Sequence, residues 1–218
     1  MTWIDFSWTL AIGACLTLAS IHAQIAIRLA GRSRYAHLSF TLSAVAVAIA
    51  GFIELSALRA ETVEAYRSAM FHAQIPLWLM LVSLASFIWF FFEGGRPWMP
   101  VASVTISTVC LAANIMVPLD WQVRYAESIR QVETFGGVFF TFGQLKSGPV
   151  TIIDMAGAVM LLAFVVDSSA RVWRNGSRRR AVMVGGGIVF FLLVSRSYAA
   201  LVELGVVETP FFFVFPYL

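Results

Sequence analysis

MFHAQIPLWLMLVSLASFIWFFF, Met70 to Phe92, runs without a single Asp, Glu, Lys or Arg. An α-helix rises about 1.5 Å per residue, so this stretch reaches across the roughly 30 Å of hydrocarbon in a bilayer. A helix on the surface of a soluble domain would carry a polar face, whereas here Trp, Phe, Leu and Ile recur at every angular position. The stretch therefore reads as a transmembrane helix. Five further spans follow the same rule: Trp8 to Ala30, Ala36 to Leu58, Met99 to Pro118, Val150 to Val172 and Ala181 to Val202. A seventh opens at Thr209 or Pro210 and is still apolar at Leu218, about half of a crossing. A carboxylate terminus in mid-bilayer is strongly unfavourable, so the chain is expected to continue past Leu218.

Composition agrees. Of 218 residues, 60% are hydrophobic and 12% charged, and mean hydropathy is +0.83. A soluble domain carries roughly a quarter of its residues as charges, so most of this surface is expected to face lipid. The net charge of +3 does not point to nucleic acid, because the arginines sit in short loops between apolar runs. Cys15 and Cys110 fall inside spans and read as small apolar packing residues. The start, MTWIDFSW, lacks the basic segment of a cleavable signal peptide. The fold class is thus an all-α integral membrane protein, a seven-helix bundle with its seventh helix cut short.

Loop charges set an orientation. One side carries Arg28, Arg32, Arg34, Arg96, Arg171, Arg174, Arg178, Arg179 and Arg180, with Glu93 as its loop acid. The other carries Arg59, Arg67, Arg124, Arg130 and Lys146 beside Asp5, Glu61, Glu64, Asp120, Glu127, Glu133 and Glu208. Positive loops stay in the cytoplasm, which puts the N-terminus outside and directs a completed seventh helix inward. Trp3, Trp8 and Trp121 on one side, with Trp98 and Trp173 on the other, fit interfacial aromatic belts.

The long loop from Leu119 to Pro149 then lies outside. LDWQVRYAES reads as a charged helical stretch, followed by two β-prone runs around a two-residue turn at Gly136-Gly137. Phe135, Phe139, Phe140 and Phe142 are too apolar for a freely solvated hairpin. They are expected either on the membrane surface or folded as a lid over the outer mouth of the bundle.

Ionisable groups inside spans are candidate functional residues, because each is unfavourable in hydrocarbon unless paired. Glu54, His72, Gln74, Asn114, Asp154, Arg196, Tyr198 and Glu203 all fall in the outer half, against His22, Gln24, His37 and Asp167 on the inner side. Arg196 stands deepest and needs a carboxylate, with Asp154, Glu54 and Glu203 at compatible depths. Three readings remain open at this stage: a structural ion-pair network, a polar pocket binding a small molecule, and an ion pathway. The inner half offers few groups to continue a pathway. A retinal Schiff base needs a membrane lysine, and the one lysine, Lys146, is in a loop. Bis-histidine haem needs two histidines at one depth; His72 lies outward, which leaves His22 with His37 on the inner side as the conceivable pair, although His37 is rather expected to snorkel at the inner interface beside Arg34. No HExxH, CxxC, P-loop or dinucleotide fingerprint occurs, so neither metal nor cofactor is expected. Gly185-Gly186-Gly187 sits in a span, where it permits close helix approach.

EGGRPW (Glu93 to Trp98), the Tyr125–Glu127 segment with the hairpin after it, and FVVDSSARVWRNGSRRRAVMVGGGIVFF (Phe164 to Phe191) together resemble the N-terminal seven-helix sensor region of bacterial membrane-bound sensor histidine kinases. The resemblance implies one sensor domain over 1–218 in the bacterial inner membrane. It also implies PAS and kinase modules after Leu218, a homodimer formed through that cytoplasmic region, and a small-molecule or membrane-soluble signal as ligand. No catalytic residue of such a kinase lies in this chain. A small transporter or channel, and a membrane anchor or assembly subunit without ligand, are the alternative functions.

Overall fold

A computed structural model describes residues 2–93, 95–134, 136–203 and 206–207, without the side chains of Thr134, Ala199, Val202 and Glu203. The expected seventh span lies outside the described residues, as does Phe135. Among the described residues, six helices are long and apolar enough to cross a membrane, which makes this a multi-pass membrane protein. They are α1 (Trp3–Arg28), α2 (Gly31–Leu58), α3 (Val63–Phe92), α4 (Trp98–Met116), α5 (Thr151–Arg174) and α6 (178–203). Helix α6 begins with the turn Arg178–Arg180, passes through a π-helical stretch at Ala181–Gly186, and continues as Gly187–Glu203. Between α4 and α5 lie a 3-10 turn, Leu119–Trp121, and an antiparallel pair, β1 (Tyr125–Thr134) and β2 (Val138–Lys146).

Several helices begin before the apolar run that announces them, because polar caps extend them into the interface. Thr2 and Asp5 form a reciprocal capping box on α1, with Asp5 N donating to Thr2 Oγ1 at 3.2 Å and Thr2 N to Asp5 Oδ2 at 2.9 Å. Thr62 Oγ1 caps α3 by accepting from Ala65 N at 3.1 Å. Helix α3 ends at Glu93 in the left-handed region, φ 53°. Pro76 sits inside α3 and removes one backbone donor from the ladder.

Packing divides the bundle. Helices α1, α2 and α3 meet through small residues, Ala46, Ala48 and Ala50 of α2 against Cys15 and Met80. In lipid, close backbone approach replaces the hydrophobic driving force that acts in water. Ile88, Phe92, Leu161, Phe164, Val165 and Ala181 join α3, α5 and α6 near the arginine-rich end. The outward faces stay apolar, with Phe52, Ile152 and Phe190 all exposed, as a lipid-facing surface requires. Trp8 departs from its expected place in an aromatic belt: it is fully buried beside Ile4, Leu58 and Phe140. The hairpin, by sitting on the start of α1, covers a residue that would otherwise face the interface. Trp121, Trp98 and Trp173 are exposed as the belts require.

The segment before the hairpin corrects one expectation. Instead of a helix over LDWQVRYAES, only Leu119–Trp121 turns, and β1 starts at Tyr125. The alternation of Tyr125 and the following residues against β2, with a bulge between Ala126 and Ser128, outcompetes a short isolated helix. The connection is also longer than two residues: Thr134 pairs with Val138, leaving three residues between them. Gly136 and Gly137 both have positive φ, 79° and 71°, the region glycine enters without penalty. On the hairpin surface, Lys146 Nζ donates to Glu127 Oε1 at 2.8 Å, and this carboxylate raises the lysine pKa above its ordinary value.

Between helices, close approach is tightest at Gly185 of α6. A Cβ there would overlap the Ser169 side chain of α5, whose Oγ is already committed to Val165 O at 2.7 Å. Gly185→Val is therefore expected to push α6 off α5 and lower stability by about 1–3 kcal/mol. Ser169→Gly in the same chain should recover most of the loss. Equal stabilities of Gly185→Val and wild type in thermal unfolding would contradict this contact.

Candidate functional site

Four of the eight singled-out polar residues come together at the hairpin end of the bundle. Asp154 stands in the first turn of α5 and Arg196 near the end of α6. They face each other across the gap between these helices: Arg196 Nη1 donates to Asp154 Oδ2 at 2.6 Å and Nη2 to Oδ1 at 3.4 Å. A planar guanidinium meeting both carboxylate oxygens is the strongest arrangement available to such a pair. The side chains retain 39% and 23% exposure, Arg196 and Asp154 respectively, so the pair is not sealed from its surroundings.

Beside it, Asn114, in the last turn of α4, is buried and uses both ends of its amide. Its Nδ2 donates to Gln74 Oε1 of α3, and its Oδ1 accepts from Val123 N at 2.7 Å. Thr151 Oγ1 at the start of α5 donates to Val123 O at 2.6 Å. Gly148 N donates to Gln122 O at 2.9 Å, and Val150 N to Trp121 O at 3.1 Å. These bonds tie residues 121–124 across the ends of α4 and α5 and bring Arg124 to the rim of the site. Asn114→Leu should strand the Val123 N–H and the Gln74 amide in a dry setting. The expected loss is about 1–3 kcal/mol in thermal unfolding; no measurable loss would mean that water replaces the amide.

These residues line a cavity of about 400 Å³ bounded by α3, α4, α5, α6 and residues 123–124. Its polar rim consists of Gln74, Asn114, Arg124, Asp154 and Arg196, and its depth is apolar, with Leu77, Leu81, Leu161 and Leu192. Trp78 lines it as well and donates from Nε1 to Thr108 Oγ1 at 3.1 Å. Comparison with protein-family models, with curated proteins and with solved structures returns no match for this chain. The site must be read from its own chemistry.

The remaining candidates lie elsewhere. Glu54 is buried in α2, within electrostatic reach of Tyr66, and does not line the cavity. His72 turns along its own helix, its Nδ1 donating to Ser68 O at 2.6 Å. Tyr198 is outside the cavity wall, and the side chain of Glu203 lies outside the described residues. Among the described residues, Phe139, Phe140 and Phe142 of the hairpin do not line the cavity either. Phe140 inserts between α1 and α2 and Phe142 packs beside it, with Arg130 over its ring at 5.4 Å; Phe139 points outward at 60% exposure. The hairpin is held there by Arg67 Nε donating to Ala126 O at 2.7 Å and by Thr141 Oγ1 donating to Ala60 O at 2.6 Å.

Toward the other end, His37 does not snorkel to the interface. Its Nδ1 meets Nδ1 of His22 at 3.0 Å, and the His22 ring stacks on Phe40. One ring donates and the other accepts, so the two rings touch directly with no room for a porphyrin between them. Among the described residues, no group of three or more His, Cys, Asp or Glu is placed to hold a metal ion.

Sequence reasoning missed Arg124, Trp78, Ser107 and Ser195 as cavity residues. Arg124 counts as an ordinary loop arginine until the bonds to Asn114 and Thr151 fold its segment inward. A serine or a tryptophan within a span has no feature that distinguishes a cavity wall from a lipid face.

Proposed function

We propose that this chain is the sensory input module of a two-component receptor in the bacterial inner membrane. A small molecule or membrane-soluble signal binds in the α3–α6 cavity and biases two packings of the bundle. The hairpin end faces outward and the arginine-rich end the cytoplasm. A seventh helix from about residue 209 delivers the chain to a kinase module, where a homodimer forms.

The observation that carries this reading is the position of the cavity. It occupies the hairpin-end half of the bundle, and the apolar layer of Ile88, Phe92, Phe164 and Val165 lies between it and the arginine end. A transported ion or solute would need polar partners through that layer. A ligand-free anchor would have little use for a cavity rimmed by an ion pair and two bonded amides. The resemblance of Glu93–Trp98, Tyr125–Glu127 and Phe164–Phe191 to sensor-kinase input regions supports the same reading.

Two experiments test it. The coding sequence after Leu218 should continue in frame into a PAS or histidine-kinase module; a stop codon or an unrelated domain there would overturn the receptor reading. In intact cells, single cysteines introduced near Glu61 and Ser128 should react with an impermeant maleimide while those near Ser33 and Asn175 stay protected. The reverse pattern would invert the topology.

A further inference from the structure

We propose that the turn joining α5 to α6 holds the phosphate of an anionic phospholipid, with the acyl chains laid along Met183 and Val184. The proposal is independent of the sensory reading and concerns the end of the bundle away from the α3–α6 cavity.

Charge is gathered at this turn beyond what topology asks. Of the nine arginines on this side, five fall within residues 171–180: Arg171, Arg174, Arg178, Arg179 and Arg180. Orientation in the bilayer is satisfied by basic residues spread over the loops. A cluster on one turn adds a local field that draws anionic head groups. Among the described residues, Arg171 alone of the five has a carboxylate partner, Asp167, at 3.1 Å. The cluster therefore keeps a surplus of positive charge.

The guanidiniums are also placed. Arg178 lies over the Trp173 ring at 5.5 Å. Arg180 lies over the Phe91 ring at 4.2 Å, while its Nη2 donates to Phe91 O. Stacking engages the face of a guanidinium and leaves N–H groups on its edge to donate to an oxyanion. Arginines held in this way lose less freedom on binding than mobile ones would. Arg178, Arg179 and Arg180, with Gly176 and Ser177, border a recess of about 540 Å³, and among the described residues no acid lines it. Its remaining walls are Met183 and Val184, about one turn further along α6. Met183 and its neighbour Val182 are exposed, and in a bilayer that exposure is to hydrocarbon.

The recess thus passes from guanidinium to aliphatic within a short distance, as a lipid does from phosphate to chain. A free phosphate would meet only the first part, and a zwitterionic lipid brings a cation of its own to the arginines. A phosphodiester head of net negative charge with its chains attached satisfies both parts. Seated there, it braces the start of α6 just ahead of the π-helical stretch Ala181–Gly186.

The test uses the delipidated chain in dodecyl maltoside and native mass spectrometry. The added probes are dioleoyl phosphatidylglycerol, dioleoyl phosphatidylcholine and glycerol 1-phosphate. Phosphatidylglycerol should be retained at least about tenfold more strongly than phosphatidylcholine, and excess glycerol phosphate should not displace it. Arg178→Gln combined with Arg179→Gln should lose at least about fivefold in phosphatidylglycerol retention. Arg32→Gln combined with Arg34→Gln removes the same charge from the start of α2 and should change retention less than about twofold. All four arginines are exposed, so both paired variants should unfold within a few degrees of wild type. Should the first pair fail to fold, Arg179→Gln alone should still lose at least about threefold. Equal retention of the two lipids would overturn selection for an anionic head. Displacement by glycerol phosphate would replace the lipid with a soluble phosphate. Equal losses in the two paired variants would reduce the effect to diffuse attraction by the basic end and remove the site.

Discussion

Arg196→Gln should lower the stability of the bundle by about 3 kcal/mol, the lower end of the range for breaking a buried ion pair. The physical cause is the carboxylate left behind. Asp154 faces Arg196 through two hydrogen bonds, and without the guanidinium its carboxylate loses that partner and draws water into the cavity. The partial exposure of both side chains allows some water to reach it, which keeps the loss from being larger. Asp154→Asn added to Arg196→Gln should recover most of the stability, because an amide pair carries no net charge to desolvate. Thermal unfolding of the two single variants and the double variant in nanodiscs gives the coupling directly. Additive losses in the double variant would show that the two side chains do not depend on each other. Signalling separates the other role of Arg196: the recovered double variant is expected to remain folded and to have lost its response, since the rim no longer presents the guanidinium–carboxylate pair.

Phe140→Ala should cost about 3–5 kcal/mol, the range for removing a buried aromatic side chain. Phe140 is 2% exposed and fills the space between Ile4, Trp8 and Leu58, so truncation leaves a void against two rigid helix ends. Phe139→Ala, one residue away and on the outward face, should lose less than about 0.5 kcal/mol, as surface changes do. Because alternate residues of a strand point to opposite faces, this contrast tests the strand register as well as the packing. Protease cleavage within the hairpin should rise sharply for Phe140→Ala only. Similar behaviour of the two variants would mean that the hairpin does not seat on α1 and α2.

The six crossings could be read from the chain because each is a local property: about 20 uncharged residues span a bilayer whatever they pack against. The need of Arg196 for a carboxylate was equally legible, since a guanidinium in the membrane cannot shed its charge. Which acid it takes was not. Asp154, Glu54 and Glu203 lie at similar depths, and depth along a helix says nothing about which helix stands opposite. The tertiary structure brings Asp154 to Arg196 by setting α6 against α5, where Gly185 lets the two backbones approach at Ser169. The same choice places Glu54 in the α2 side of the bundle, away from the cavity. His22 and His37 show the limit most plainly: fifteen residues apart on either side of a turn, they meet at 3.0 Å only because the small residues of α1 and α2 bring those helices close. The hairpin could be foreseen from its paired glycines and β-prone runs, but not its seat. Four phenylalanines state that the segment must bury something, and shape complementarity with Ile4, Trp8 and Leu58 decides where. Spans and charges are fixed by transfer from water to hydrocarbon, residue by residue; partners and cavities are fixed by which faces meet, which depends on every helix at once.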